Sequence, residues 1–488
     1  VDNSQISAQT LDMIKKATAT AGVNSASGLT GIDLAGLISL IPVVTPFYDS
    51  LARSTPTMGG KFAEWKALLN VNNTQPDPST AFDQAAAIVN LQEQDVAAYY
   101  GKVGAGYTVT MDSIDFGKGY ADAKSVAIFN ALNQYKIGMD KKALGGQNFA
   151  LPTPGTPAVT PSATGGTIAG GTAVPVKVAA RTGSNYNYGG STVASAQGSA
   201  TTSTTGATNS AVATVAFVPG AVAYDWYVNG FYYTTTTVNK VTITAIPTAN
   251  QAVPSNLPGL YSVAPTSVPA VDSSAKPNDF NGLLATLAGD YATGGALGLV
   301  QRGSGLNSGA SFTSLDGNPF TVSGQSVKEL DALNLNIWNA VNLSPTAYMV
   351  SAQEASSISS AILNSAGGGT TFYAPNNPAE REGAIAGGFI GWYVNKAAGG
   401  VPVKIEVQPN LTPGTVIART DRVPFPNSNI TNTLELRNLH DVQDHEYPAA
   451  RVAGAGGGPR FDGETYSLST LANRAPVTMG VIQNIAAS

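Results

Sequence analysis

His440 and His445 are the chain's only histidines, and they stand in LHDVQDHEYP beside Asp441, Asp444 and Glu446. Those side chains are donor types that a metal ion accepts. The two histidines are five residues apart, however, and the helical metal pair needs a spacing of four. The segment is therefore expected to be a polar loop whose charged groups face solvent or a neighbouring subunit. The glycines Gly454 to Gly458 in AGAGGGPR superficially resemble a phosphate-cradling loop. No lysine follows in the required position, and Pro459 blocks the helix whose N-terminus would hold the anion, so a surface loop is expected there too. GLNSG, from Gly305, does not set its serine where a nucleophile elbow requires it, and no histidine is near in sequence. Glu380 with Glu382, or Asp112 with Asp115, could do acid and base work, but such pairs arise by chance in a chain of 488 residues. No catalytic, cofactor-binding or metal site is assigned, and the chain is read as a non-enzyme.

One more group could bind something. In GAVAYDWYVNGFYYTTTTV, from Gly220 to Val238, the aromatics Trp226, Tyr227, Phe231, Tyr232 and Tyr233 could form a carbohydrate-binding face. They are interleaved with Val and Asn, so some must point inward, and core packing is the first expectation.

The elements that must position these residues follow from composition and pattern. A chain of 488 residues with 43% hydrophobic content can bury several cores, which makes two to four domains the prior. Charged residues make up only 12%, about half the usual share, so much of the surface is expected to be covered. The net charge of −5 and the lack of any Lys or Arg run argue against a dedicated nucleic-acid or anionic-membrane binder. With no cysteine, disulfides, thiolate zinc sites and a cysteine nucleophile are excluded, which fits assembly in a reducing compartment. The longest apolar run, Leu34 to Val44, is broken by Pro42 and falls short of the roughly 20 residues of a spanning helix, so no membrane contact is expected. The first residues lack the basic-then-apolar order of a secretory signal, and they lack an initiator Met. The chain is accordingly expected to be trimmed, or numbered from inside its gene.

Residues 1–58 read as an N-terminal arm, extended from Val1 to about Gly28, with an apolar docking segment from Ile32 to Leu51. Over 59–113 the strand-like pieces KFAEWKALLNV and GYTVTMD flank a polar span, which predicts a long hairpin. A helix is predicted over Asp122–Lys142, with Ile128, Leu132, Tyr135 and Met139 on one stripe and Gly145 and Gly146 as the stop. From Pro152 to about Pro265 the only charged residues are Lys177, Arg181, Asp225 and Lys240, and the β-prone runs VPVKVAAR, AVATVAF, YDWYVNG, FYYTTTTV and VTITAI are separated by turn residues. This is the cue for a small antiparallel sandwich, and Trp226 between Tyr224 and Tyr227 resembles the core strand of an immunoglobulin-like or fibronectin-like module. The alternative, a Thr-rich disordered linker, sits poorly with so many aromatics. Capping boxes are predicted at Ser326 with Glu329 and at Ser351 with Glu354. The first helix carries Leu330, Leu333, Ile337 and Val341 and is ended by Pro345; the strand TAYMV follows, then a helix with Ala355, Ile358 and Ile362 stopped by Gly367 to Gly369. VPVKIEV, TVIA, TNTLELRNL and APVTMGVIQNI close the chain as strands. No fixed-period repeat is present.

In this order the parts resemble a tailed-bacteriophage major capsid protein of the Hong Kong 97 (HK97) type. The local matches are STPTMGGKFAEWKALLNVN, YADAKSVAIFNALNQYKIGMDKKALGG, VKELDALNLNIWNAVNLSPTAYMVSAQEASSISSAIL, PNLTPGTVIARTDRVPFPNSNITNTLELRNLHDVQDHEYP and RAPVTMGVIQNI. The resemblance implies an α+β HK97-like capsid fold. Its parts would be an arm (1–58), an extended loop (59–113, near Gly59 to Asp112) and a peripheral spine helix (114–151, near Ile114 to Gly146). Next would come an inserted immunoglobulin-like β-sandwich (152–265), an axial domain with adjoining peripheral elements (266–432, within Asp279 to Pro426), and a peripheral β region (433–488, from Thr433 to Ser488). It also implies a virion protein assembled in the bacterial host cytoplasm as pentamers and hexamers of an icosahedral head around double-stranded DNA. Portal and scaffolding or maturation proteins would be its partners, and DNA would be enclosed without sequence-specific binding. The insert would be an outward-facing decoration, open to a cell-surface glycan, whose removal leaves assembly intact. Some relatives weld subunits through a lysine at the loop tip; here no lysine lies between Lys66 and Lys102, so non-covalent contacts are expected unless Lys61, Lys66 or Lys102 approaches a neighbour. A secreted or surface adhesin with a glycan-binding sandwich is the competing reading, weakened by the missing export signal and by the capped helices on either side.

Overall fold

The computed structural model describes residues 43–56, 59–68, 82–85, 93–117, 122–203, 205–288, 311–324, 326–363, 390–423, 431–447 and 460–487. The expectations for residues 1–42, Gly305, Gly367 to Gly369, Glu380, Glu382 and Gly454 to Gly458 lie outside the described residues. The chain divides into two compact units, one of residues 1–45, 102–139 and 438–469, the other of 46–101, 140–437 and 470–488.

In the first unit, strand β4 (Gly101–Thr110) alternates buried Val103, Tyr107 and Val109 with exposed Lys102 and Thr108, the period of a half-buried strand. It borders β20 (Arg460–Asn473), which borders β19 (Leu434–Tyr447). After β4 a short helix, α2 (Met111–Gly117), precedes the 23-residue α3 (Ala123–Gly145). Asp122 caps α3: its carboxylate accepts from the Lys124 N–H at 3.0 Å and the Ser125 hydroxyl at 2.6 Å, satisfying backbone donors that the helix leaves unpaired. Ala131, Tyr107 and Val109 form this unit's core, with Ala105, Ile114, Ala123, Ala127 and Ile128 around them. Tyr135 donates to the Ser467 hydroxyl at 2.7 Å, a buried hydrogen bond between α3 and β20. The helix predicted over Asp122–Lys142 is thus present, and Gly146 closes it by donating to the Lys142 carbonyl at 2.7 Å.

The second unit begins with α1 (Pro46–Ser50), which buries Phe47 and Tyr48, and β1 (Ala52–Ser54), parallel to Glu435–Arg437. Next is an antiparallel ribbon of β2 (Phe62–Leu68) and β3 (Glu93–Tyr99), with Trp65 opposite Val96 and Lys66 opposite Asp95. Two antiparallel strands stand where the hairpin is expected, but the second is β3 and most of the connection lies outside the described residues; GYTVT belongs to β4, and Met111 and Asp112 open a helix. EQDVAAY, the sequence of β3, has neither alternation nor β-branched enrichment, which is why the pattern pointed past it.

The segment 152–265 folds as two sheets around one core. One sheet has the order β10-β9-β6-β7, from Phe231–Thr236, Ala223–Val228, Ala173–Arg181 and Gly198–Thr201. The other is β11-β8-β5, from Lys240–Ile243, Ser210–Thr214 and Ala158–Ser162. Val174, Val176 and Val178 of β6 meet Tyr224, Trp226 and Val228 of β9, with Ala211, Ala213, Val241 and Ile243 from the facing sheet. A sandwich is therefore present, and the disordered-linker alternative falls. Its strand order is not that of an immunoglobulin. Lettered A to G along the chain it reads F-E-B-C over G-D-A, whereas the immunoglobulin order is A-B-E-D over C-F-G. Only the central B–E pair is shared. The reason is that β9 and β10 turn back on each other through Asn229 and Gly230, both at positive φ, and so stay in one sheet.

The last part of the second unit is a six-stranded mixed sheet, β12-β21-β18-β15-β17-β16. Its strands are Ser311–Asn318, Gly480–Ile485, Val416–Arg419, Ala347–Val350, Val401–Val407 and Trp392–Asn395. Helices α6 (Lys328–Val341) and α7 (Ala352–Leu363) cover it, burying Leu330, Leu333, Ile337, Ala355 and Ile358 against Tyr348, Val350, Val403, Ile405, Val416 and Ile482. Two shorter helices of this unit are α4 (Gly183–Tyr188), between β6 and β7, and α5 (Leu283–Ala288), every residue of which is buried. Ser326 does not cap α6: it lies in a two-residue strand, β14 (Ser326–Val327), paired with β13 (Val322–Ser323). Val327 occupies the cap position, and Glu329 instead accepts from the Thr321 N–H at 3.1 Å. α6 ends at Asn342 in the left-handed conformation, three residues before Pro345. At α7 the serine works as expected, its hydroxyl oxygen accepting from the Gln353 N–H at 3.2 Å, while Glu354 turns inward.

Candidate assembly site

Among the described residues, the chemistry-bearing side chains do not converge. The outer part of β19, where a polar loop was expected, is a strand from Leu434 to Tyr447, and Asp441, Asp444, Glu446 and both histidines are exposed along it. Its carboxylates are engaged locally. Asp444 accepts from the Tyr107 hydroxyl at 3.0 Å and the Thr465 hydroxyl at 3.1 Å, and Glu446 pairs with Lys124 at 2.7 Å. Burial and the hydrogen bond to Asp444 push the Tyr107 hydroxyl up to about 12. The His445 ring packs edge-on to Tyr447 at 5.2 Å. Among the described residues no three His, Asp or Glu side chains are grouped to hold a metal ion, and no helix is long and apolar enough to cross a membrane. Asp112 and Asp115 both lie exposed on α2.

The aromatic set of the sandwich divides by burial. Trp226, Tyr227 and Tyr232 are at most 1% exposed, while Phe231 and Tyr233 are half-buried. Trp226 points into the core and donates to the Thr236 hydroxyl at 2.8 Å. On the opposite face of the same sheet, Tyr227 and Tyr232 lie with Ala179 beneath Val253, Ala264 and Val268 of the following coil. A tight polar group shares that face: Arg181 Nε holds Asp225 Oδ2 at 2.7 Å, Thr235 donates to Asp225 Oδ1 at 2.6 Å, and Tyr232 and Thr235 share a 2.6 Å hydrogen bond. The five aromatics therefore present no flat face to a sugar.

What remains is the ribbon. Each strand has seven residues, and among the described residues no third strand joins them. Two-stranded ribbons are at best marginal alone in water. Its root is fixed: Tyr100 N–H donates to the Lys61 carbonyl at 3.2 Å, Phe62 and Tyr99 meet edge to face at 4.5 Å, and the Arg437 guanidinium lies 5.9 Å from the Trp65 ring. Burial raises the Tyr100 hydroxyl above its ordinary range, against the pull of Arg437. Lys61, Glu64, Lys66 and Asp95 remain exposed along it. Of the three lysines relevant to a covalent link, Lys61 and Lys66 are on the ribbon, and Lys102 is held by Glu464 at 2.5 Å with its ammonium 4.5 Å from the Tyr466 ring. Sequence reasoning identified the first strand of this ribbon and missed the second; Tyr99 and Tyr100 closing onto Phe62 and Lys61 were the available signal.

No model of a known family matches the chain, and no curated protein matches it. Solved structures do. One described as the capsid of an empty GTA particle computed with C5 symmetry aligns over 95% of this chain and 100% of its own, at 6% identity and a TM-score of 0.42. One from Mycobacterium phage Bobi aligns over 95% and 99%, at 9% identity and 0.37. A third, described as phage G gp27 major capsid proteins and gp26 decoration proteins, aligns over 94% and 96%, at 5% identity and 0.36.

Proposed function

We propose that the chain is a structural subunit that assembles with copies of itself, as pentamers and hexamers, into a closed icosahedral phage head around double-stranded DNA. The observation that supports this best is the order of parts along the chain. A two-stranded ribbon, a 23-residue helix, a sandwich, a helix–strand–helix on a six-stranded sheet and two 14-residue strands follow one another as the HK97-type resemblance implies. Function then resides in surfaces that only a neighbour can complete. The ribbon is the extended loop, α3 the spine of the peripheral domain, and the six-stranded sheet the axial domain. The sandwich carries the outward face, the shell is held without covalent links, and portal and scaffolding or maturation proteins act during assembly in the host cytoplasm. The adhesin reading gains nothing, since three of the five aromatics it needs are buried and the other two are half-buried. Electron microscopy of the protein expressed alone, and with the genes that neighbour its own, tests the proposal. Closed particles of uniform size are expected; monodisperse monomers under both conditions would reject it.

A further inference from the structure

Two of the completely buried carboxylates in the second unit hold the same short turn. Asp140, on the last turns of α3, is 0% exposed, and so is Glu354, in the first turn of α7. Residues 408–415, QPNLTPGT, connect β17 to β18 and are buried except at Pro409 and Asn410. From this turn Asn410 donates to Asp140 Oδ2 at 2.7 Å, and the Gly414 N–H donates to Glu354 Oε1 at 2.7 Å. Asp140 also accepts from the Tyr48 N–H at 2.8 Å, and Glu354 from Gln353 at 3.1 Å and from the Ser351 hydroxyl. Gly414 itself sits at φ +81°, with Thr237 of the sandwich and Ile485 of β21 against it. Helix α3, helix α7, the sandwich and the central sheet therefore meet at one turn.

We propose that Asp140 and Glu354 form a two-point, proton-dependent clasp on the turn between β17 and β18. A buried carboxylate prefers to be neutral unless a cation or enough donors hold its charge. The charged group facing Asp140 is Asp49 of α1, a like charge; the turn offers it Asn410 and α1 the backbone of Phe47 and Tyr48. Lys141, next on α3, reaches instead towards Gly259, its Nζ 4.0 Å from where a Cβ on that glycine would lie. Glu354 faces Ser351 and Gln353 on its own helix and Gly414 on the turn, none of them charged. Burial outweighs the donated hydrogen bonds at both sites and holds both carboxyls above the usual carboxylate range. An acid whose pKa is raised by folding binds its proton more tightly folded than unfolded, so stability is greatest below the ordinary carboxylate range and falls as pH rises through the raised value. The clasp is accordingly firm in mild acid and slackens towards neutral and alkaline pH.

Hydrogen exchange of the full chain, read by mass spectrometry on peptides covering 408–415 and corrected for the intrinsic pH dependence of exchange, tests this from pH 4.5 to 8. Protection at Gly414 is expected to fall about tenfold for each unit by which a carboxyl is raised. In Asp140→Asn and Glu354→Gln, each losing one titrating group, the slope should shrink, and in the double variant it should vanish. Asn410→Ala keeps both carboxyls and cuts one leg; it should leave only the Glu354-dependent part of the slope, which keeps the test decisive if a carboxyl variant fails to fold. Flat protection in the unmodified chain, or an unchanged slope in the variants, would overturn the clasp.

Discussion

The sandwich and the ribbon are both β structures, the first poor in charge and the second not, and they solve the problem of backbone and apolar burial in opposite ways. The sandwich closes on itself. Every residue of β9 is buried, with Tyr224, Trp226 and Val228 in the inter-sheet core and Asp225 and Tyr227 beneath the coil that follows. The ribbon buries Ala63, Val96, Ala97 and Ala98 and has a root pinned by Arg437, but it carries exposed charges on both strands and, among the described residues, no third strand covers its edges. The difference shows that the part which looks separable in sequence is not the part left open in structure. At one end of the sandwich, Ser184 donates to Asp279 at 2.6 Å, Asp279 also pairs with Lys142 of α3, and an added Cβ on Gly183 would lie 2.7 Å from the Gly145 Cα. At the other end Asn239 donates to Asp316 at 3.0 Å, and the Phe217 and Phe312 rings stand 4.8 Å apart. A tethered ornament would have neither seam.

That comparison can be broken most drastically by replacing Pro152 to Pro265 with a short Gly/Ser linker. Contrary to the expectation from sequence, the truncated chain should lose soluble yield and cooperative unfolding, because α3, α5 and the central sheet lose a shared wall. A soluble, assembling truncation would restore the ornament. Next in size is Arg181→Met, which leaves Asp225 buried and unpaired; breaking a buried pair in this way costs about 3–5 kcal/mol, readable as a shifted denaturation midpoint. Gly183→Ala should cost roughly 1–3 kcal/mol by overpacking the seam against α3. The smallest effect on the subunit itself is expected for Trp65→Ala on the ribbon, roughly 1 kcal/mol. Its particle yield should nevertheless fall by far more than its stability, whereas Arg181→Met should lose both together.

Those contrasts track what was legible in the sequence. Helix α3 was legible because Asp122, the Tyr135 and Met139 stripe and the Gly145–Gly146 stop all act locally. The five β-prone runs of the sandwich were legible for the same reason. Its strand order was not, since pairing of β6 with β9, more than forty residues on, is settled by packing. The outer half of β19 read as a loop because Val442 is the one apolar residue between His440 and Glu446, which leaves no apolar alternation. Ser326 failed as a cap because it pairs in β14 and its hydroxyl donates to the Ser323 carbonyl at 3.0 Å, while Glu329 accepts from the Thr321 N–H. The candidate assembly site was half legible: Trp65 and Lys66 announce a strand, while the Ala-rich β3 announces nothing, and its partner surface is not encoded in any local pattern.

The central claim is that the ribbon finishes its burial on another copy of this chain. A cryo-electron microscopy map of the assembled protein, at a resolution that traces Phe62–Leu68 and Glu93–Tyr99, tests it most directly. The ribbon is predicted to lie across an adjacent subunit, with Trp65 at the root and the exposed charges at the contact. A ribbon folded over its own subunit, or one reaching into solvent in every copy, would contradict it.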